Sequence, residues 1–185
     1  MMNKEFAEFL KKTKGISYGD FTLKSGLRST VFADFGIIGS AYYWSKIGDF
    51  FADYIMDNGL DTFDTIFGPA YKGIMIALAT SLSLYYKYDK YVNVSFNRKE
   101  EKDHGEKGIF LGYDLNEASN IIIVDDVFTT GKTKYETLDL LYNFSNMSIN
   151  YILVGVDRHE PGSIEEFEKN TGIKIYSISK LDDLS

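Results

Sequence analysis

The 185-residue sequence predicts an α/β fold: a Rossmann-like parallel sheet flanked by helices, preceded by a small N-terminal hairpin unit. Three features carry that expectation. From Asp61 onward, apolar strand-like runs alternate with helix-like segments, a rhythm that parallel strands joined by right-handed crossovers produce. The runs Ile121–Val124 and Ile152–Val156 are continuously apolar, as strands covered on both faces are. Before Ser40 the rhythm is different, with apolar and polar residues alternating on either side of a glycine-bearing turn.

Taken in order, Lys4 to Lys12 place Phe6, Phe9 and Leu10 on one face of a short helix. "ISYGDFTLKSGLRSTVFADFG" reads as an antiparallel hairpin turning through "KSGLRS". Ser40 opens a helix to about Met56, with Tyr43, Ile47, Phe50, Phe51 and Ile55 at helical spacing. "DTIFG" is a short strand, and "PAYKGIMIALATSLSLYY" a helix entered through Pro69. "YVNVSF" is the next strand, followed by the polar segment "NRKEEKDHGEKGIFLG". "NIIIVDD" is a strand before the helix "TKYETLDLLYNFS", and "YILVGVDR" a strand before the helix "SIEEFEKNTG". "IKIYSI" closes the sheet as an edge strand. The length suits one domain, residues 1–185, with the hairpin unit at about 1–40 and the core at about 41–185. No residues are left over for a second barrel-sized domain.

Composition narrows the function classes. A net charge of -7 argues against a nucleic-acid partner, because phosphate backbones are bound by clustered Lys and Arg. The absence of cysteine excludes disulfides and thiolate metal sites. The amphipathic start "MMNKEFAEFLKKTK" is unlike a signal peptide, and no run approaches the roughly 18 apolar residues of a membrane span. A soluble cytoplasmic protein without a membrane partner is expected. The three arginines (Arg28, Arg98, Arg158) and two histidines (His104, His159) fall in three short segments that also carry Gly, Asp and Glu.

The chemistry concentrates in "IIIVDDVFTTGKT". Ligands of parallel sheets bind beyond the carboxyl ends of the strands, near a reversal of strand order, and Asp125 and Asp126 sit at such an end. The next loop leads into a helix whose first N–H groups form an anion site; Thr129, Thr130 and Thr133 add hydroxyls, and Gly131 admits a phosphate close to the backbone. Two acids beside a phosphate cradle suit a sugar phosphate, with carboxylates taking ribose hydroxyls or Mg²⁺. Capping of a strand-to-helix turn would need only one acid. "GKT" is not the end of a Walker A loop, since the required first glycine would fall at Asp126.

This stretch resembles the signature of the type I phosphoribosyltransferases, which bind 5-phosphoribosyl 1-pyrophosphate (PRPP). With "FTLKSGLRS", "GPAYKGI" and "NRKEEKDHGEKG", the chain from about Phe21 to Gly162 is similar to the orotate phosphoribosyltransferases. The resemblance implies Mg²⁺-dependent transfer of the phosphoribosyl group from PRPP to N1 of orotate, giving orotidine 5'-monophosphate and pyrophosphate in de novo pyrimidine synthesis. It implies that Asp125 and Asp126 grip the ribose, that Val127, Phe128, Thr129, Thr130, Gly131, Lys132 and Thr133 wrap the 5'-phosphate, and that Tyr71 and Lys72 hold pyrophosphate. Arg98, Lys99, Lys102 and His104 belong to a lid loop whose cations offset the leaving charge, with Lys102 acting on the neighbouring subunit of a homodimer and His104 assigned to proton or charge balance. The catalytic set is then Lys72, Lys102, His104, Asp125 and Asp126. Lys24 reaches both substrates, while Phe32, Thr129 and Arg158 face orotate, Arg158 by a guanidinium fork on its carboxylate. The hairpin becomes a hood over the site. Mg²⁺ is expected to be held mainly by PRPP, with Asp125 the one protein group offered to it. The sequence departs from the family at Thr130 and Lys132. It leaves open whether Lys132 meets phosphate or solvent, and His159 reads as a polar turn residue. The alternatives are a purine phosphoribosyltransferase, which would not need Arg158, and a PRPP-binding regulator without turnover, which would want a basic face.

Overall fold

In the computed structural model, residues 2–22, 28–100, 108–118, 120–145, 147–158 and 161–184 are described. Lys24, Lys102, His104 and His159 lie outside them. Helix α1 (Met2–Lys12) leads into the antiparallel hairpin β1 (Ile16–Thr22) and β2 (Arg28–Ala33). Then follow α2 (Ala41–Asp57), β3 (Thr65–Gly68), α3 (Lys72–Tyr88), β4 (Asn93–Asn97), β5 (Phe110–Gly112), β6 (Asn120–Phe128), α4 (Lys132–Phe144), β7 (Ser148–Asp157), α5 (Ser163–Thr171) and β8 (Lys174–Lys180). The hairpin is a sheet of its own; the other six strands run in the order β5-β4-β3-β6-β7-β8.

All pairings in the larger sheet are parallel except β4 with β5. The expected α/β architecture is therefore present, with β8 at one edge and an antiparallel strand added at the other. β5 lies inside the segment read as polar loop. Three residues are too few to show a period of two, so its pattern was invisible in the sequence.

The apolar run of β6 divides between two cores. Ile122 and Val124 join Ile66 and Leu153 under α1, α2 and α3, while Ile121 and Ile123 join Phe67, Ile152 and Val154 under α4 and α5. Successive side chains of a strand point to opposite faces, so a strand covered on both sides has no polar position to spare. The N-terminal helix is part of this packing: Phe6 and Leu10 are fully buried in the first core, and α1 lies against β8.

Two boundaries move in ways that matter for the site. α3 starts at Lys72 rather than at Pro69, because the loop before it is drawn toward β4, where Ala70 N–H donates to Asn97 Oδ1 at 3.1 Å. β6 continues through Asp125 and Asp126 to Phe128, in register with β7 as far as Asp157. The acid pair thus belongs to the strand itself.

Candidate active site

β3 is followed by β4 on one side of it, and the chain later returns as β6 on the other side. The order of strands reverses between β3 and β6, which opens a crevice at their carboxyl ends. The loop after β3 brings Tyr71 and Lys72 to this crevice, and the end of β6 brings Asp125 and Asp126.

Each acid has its own lysine. Lys72 Nζ lies 2.5 Å from Asp126 Oδ2 and 3.3 Å from Asp34 Oδ1, just past β2. Lys134 Nζ, from the first turn of α4, pairs with Asp125 Oδ2 and donates to Val127 O at 3.0 Å. The carboxylates also fold back on the strand: Asp126 N–H donates to Asp125 Oδ1 and Val127 N–H to Asp126 Oδ1, both at 2.9 Å. Two adjacent carboxylates are thereby held in fixed directions.

Their protonation is unevenly balanced. Burial, then the neighbouring Asp125 charge, pushes Asp126 above the ordinary carboxylate range, against the pull of Lys72 and Lys134. Burial also works to lower Lys72, but the Asp126 and Asp34 charges outweigh it and leave the ammonium raised. The ammonium gains more from this pair than it loses to burial, and the carboxylate loses more than it gains.

The turn after β6 is built around Gly131, which has φ of +79° and precedes α4. A Cβ there would stand 2.9 Å from Phe167 Cδ2, so both conformation and space require glycine. Thr130, Lys132 and Thr133 are exposed at the mouth of α4, whose first N–H groups have no acceptor within the helix ladder. Lys132 therefore faces outward at the helix start. Phe128 is fully buried and packs edge-on against Phe167 at 5.6 Å, so only its backbone can serve a ligand.

Two more walls close on the crevice. Arg158, just after β7, lies with its guanidinium carbon 5.7 Å from the Phe32 ring centre. Phe32 in turn leans on Phe21 across the hairpin, at 5.5 Å between rings. This brings together two residues, Phe32 and Arg158, that lie more than a hundred positions apart in sequence, and sets the hairpin against the sheet. On the other side Lys99 Nζ sits 4.8 Å from the Tyr71 ring centre. Arg98 Nη1 donates to Gly108 O at 2.8 Å and Arg98 N–H to Ile109 O at 2.7 Å, which ties together the two ends of the segment between them.

The sequence reading missed Asp34, Asn97 and Lys134. Asp34 belongs to no motif, and Asn97 opens "NRKEEKDHGEKG" without being marked out in it; their places follow only from how the hairpin and β4 fold back on the crevice. Lys134 did leave a signal, since it occupies the inward face of α4 with Leu138 and Leu141, where a helix buries apolar residues.

A reversed-order crevice with an acid pair, a glycine turn into a helix and an opposed lysine defines the class of phosphoribosyl transferase domains. The model of the phosphoribosyl transferase domain family matches residues 43–173. The orotate phosphoribosyltransferase of Aeromonas salmonicida is 40% identical over 98% of this chain and 84% of its own length. That of Clostridium beijerinckii is 38% identical over 95% of this chain and 80% of its own. The crystal structure of orotate phosphoribosyltransferase from Francisella tularensis superposes with a TM-score of 0.82 at 28% identity, covering 97% of this chain and 87% of that one. The chain belongs to the orotate phosphoribosyltransferase family.

Proposed function

We propose that this chain transfers the 5-phosphoribosyl group of PRPP to N1 of orotate, releasing pyrophosphate, as a single domain spanning residues 1–185. The observation that carries the reading is the paired arrangement at the crevice: Asp125 and Asp126 each on a lysine at one wall, Arg158 over Phe32 at the other. The acids are set to accept from ribose hydroxyls, and the turn from Thr129 to Thr133 to surround the 5'-phosphate. Arg158 offers charge-assisted donors to the carboxylate of orotate, and Phe32 a ring face to its base. A purine has no carboxylate for that arginine.

In the reaction the bond from the anomeric carbon to pyrophosphate breaks, its electron pair leaving with pyrophosphate. N1 of orotate forms the new bond to that carbon, and its proton passes to solvent. No covalent nucleophile is needed; the rate comes from alignment and from stabilising the charge that develops on the leaving group. Lys72 is half-exposed and shared between two carboxylates, so it can turn toward pyrophosphate. Tyr71 and Lys99 flank the same loop, and Arg98 bonds Gly108, joining the ends of the segment from which Lys102 and His104 would act.

Both oxygens of Asp125 already accept bonds, and among the described residues no three acidic or histidine groups cluster as metal ligands. Mg²⁺ would enter on PRPP oxygens, with Asp125 the one protein group offered to it. When bound, the ion neutralises charge on the departing pyrophosphate.

Among the described residues, no helix is long and apolar enough to cross a membrane. A cytoplasmic homodimer, with the lid acting on the partner's site, is part of the proposal. Its support is an apolar stripe on α3, where Met75, Leu78, Leu82 and Tyr86 are exposed along one face that starts beside Tyr71.

Calorimetric titration tests the site. PRPP with Mg²⁺ should bind the unsubstituted protein. Arg158→Leu should weaken orotate binding by on the order of 10-fold, the loss of a charge-assisted pair, while PRPP binding stays the same. Orotate binding unaffected by Arg158→Leu would remove Arg158 from the acceptor site.

A further inference from the structure

Among the described lysines of the site, Lys134 is the enclosed one. It is only 2% exposed, on the inward face of α4 beside Leu138 and Leu141. Its ammonium is spent on the end of β6, on Asp125 Oδ2 and on the Val127 carbonyl. Burying an ammonium is costly, and a buried ion pair is often no more stabilising than apolar side chains of the same volume. A methionine would satisfy the helix face and the core. The charge therefore points to a task in the site rather than in the fold.

The two lysines divide the work. Lys72 is 39% exposed and reaches two carboxylates, so it has the freedom to exchange them for an anionic ligand. Lys134 is enclosed, and its bonds join a side chain and a carbonyl two residues apart in one strand. Once Lys72 turns to a phosphate, Lys134 is the cation that remains against the two adjacent acids. Its position also selects a rotamer for Asp125: Oδ2 is drawn toward α4 while Oδ1 takes the Asp126 N–H.

We propose that Lys134 is a positioning residue for the donor sugar, holding Asp125 in the direction from which it accepts from a ribose hydroxyl. The inference rests on the reading of the crevice as a phosphoribosyl donor site. It adds to that reading a residue outside the strand-end motif, acting through Asp125.

Steady-state kinetics on the full chain, with PRPP, Mg²⁺ and orotate, test it through a double-mutant cycle. Lys134→Met should raise KM for PRPP on the order of 10-fold, as loss of a residue that orients a binding group does, and leave KM for orotate within about two-fold. Its melting temperature should be equal to or above that of the unsubstituted protein. In an Asp125→Asn background the same substitution should add less than about two-fold to KM for PRPP, because the group it positions is already altered. Lys134→Gln, which keeps a shorter donor, should fall between. An unchanged KM for PRPP in Lys134→Met overturns the proposal, as does an equal rise in both backgrounds. A large loss of melting temperature in both Lys134 variants would make it a residue of the fold and overturn it too. Absence of any turnover by the unsubstituted chain would instead overturn the reading of the site, and this inference with it.

Discussion

Asp126 is 6% exposed, and the Asp125 carboxylate acts on its proton in one direction while the Lys72 and Lys134 ammoniums act in the other. Burial decides the outcome, and the acid is held above its ordinary value of 3.8. An acid raised on folding adds stability that is complete below its unfolded pKa and is lost as pH rises through the folded one. At neutral pH this raised acid is thus a cost to the ligand-free fold. Asp126→Asn should keep or raise the melting temperature at pH 7, with the difference shrinking toward pH 4. It should also cut turnover by on the order of 100-fold, as loss of a preorganised polar group in such sites does. A clear fall in melting temperature at pH 7, measured by scanning calorimetry, would mean the Lys72 pair outweighs burial. At this scale Asp125 and Asp126 stand out in the sequence, because two acids ending an unbroken apolar run are unusual, while Lys72 and Arg158 were marked by the family resemblance. Asp34 was hidden since its contact with Lys72 crosses 38 positions. Lys134 was visible only as a charge on an apolar face.

α3 does two jobs, one at each side. Its inner side buries Ile76, Ala77 and Leu84 against the sheet, while Leu78, at 53% exposure, and Leu82, at 47%, face outward. α2 approaches so closely at Gly48 that a Cβ there would meet the Ala79 carbonyl oxygen at 2.3 Å. An apolar stripe left outside so tight a helix pair fits a subunit contact. Sedimentation analysis should find a dimer, and Leu82→Glu should convert it to monomer with its secondary structure intact. A dimer that survives the substitution would move the contact elsewhere. Long periodic elements such as α2 and α3 were legible in the sequence because each repeats its signal over four or more turns. β5 was not, and neither was the late start of α3. A three-residue strand has no period, and the Ala70 to Asn97 bond that shapes the loop joins residues 27 positions apart.

In the molecule as a whole, strand order is what turns these parts into a site. The reversal between β3 and β6 brings the Lys72 loop opposite the acid pair, and the hairpin and the residues after it reach Lys72 through Asp34 and Arg158 through Phe32. Alternation of strand and helix announced the parallel sheet, and the two unbroken apolar runs announced its centre. The neighbour relations across the sheet followed from folding alone: the family resemblance set Phe32 and Arg158 toward one substrate, but their direct contact came only with the fold. This crevice joins a phosphoribosyl donor to a carboxylate-bearing pyrimidine. The most direct measurement is the loss of orotate absorbance on adding PRPP and Mg²⁺, run beside uracil, adenine and hypoxanthine as acceptors. Turnover with orotate, and little or none with the other three, is the predicted result. Turnover with a purine and none with orotate would contradict the assignment of the acceptor while leaving the donor site standing.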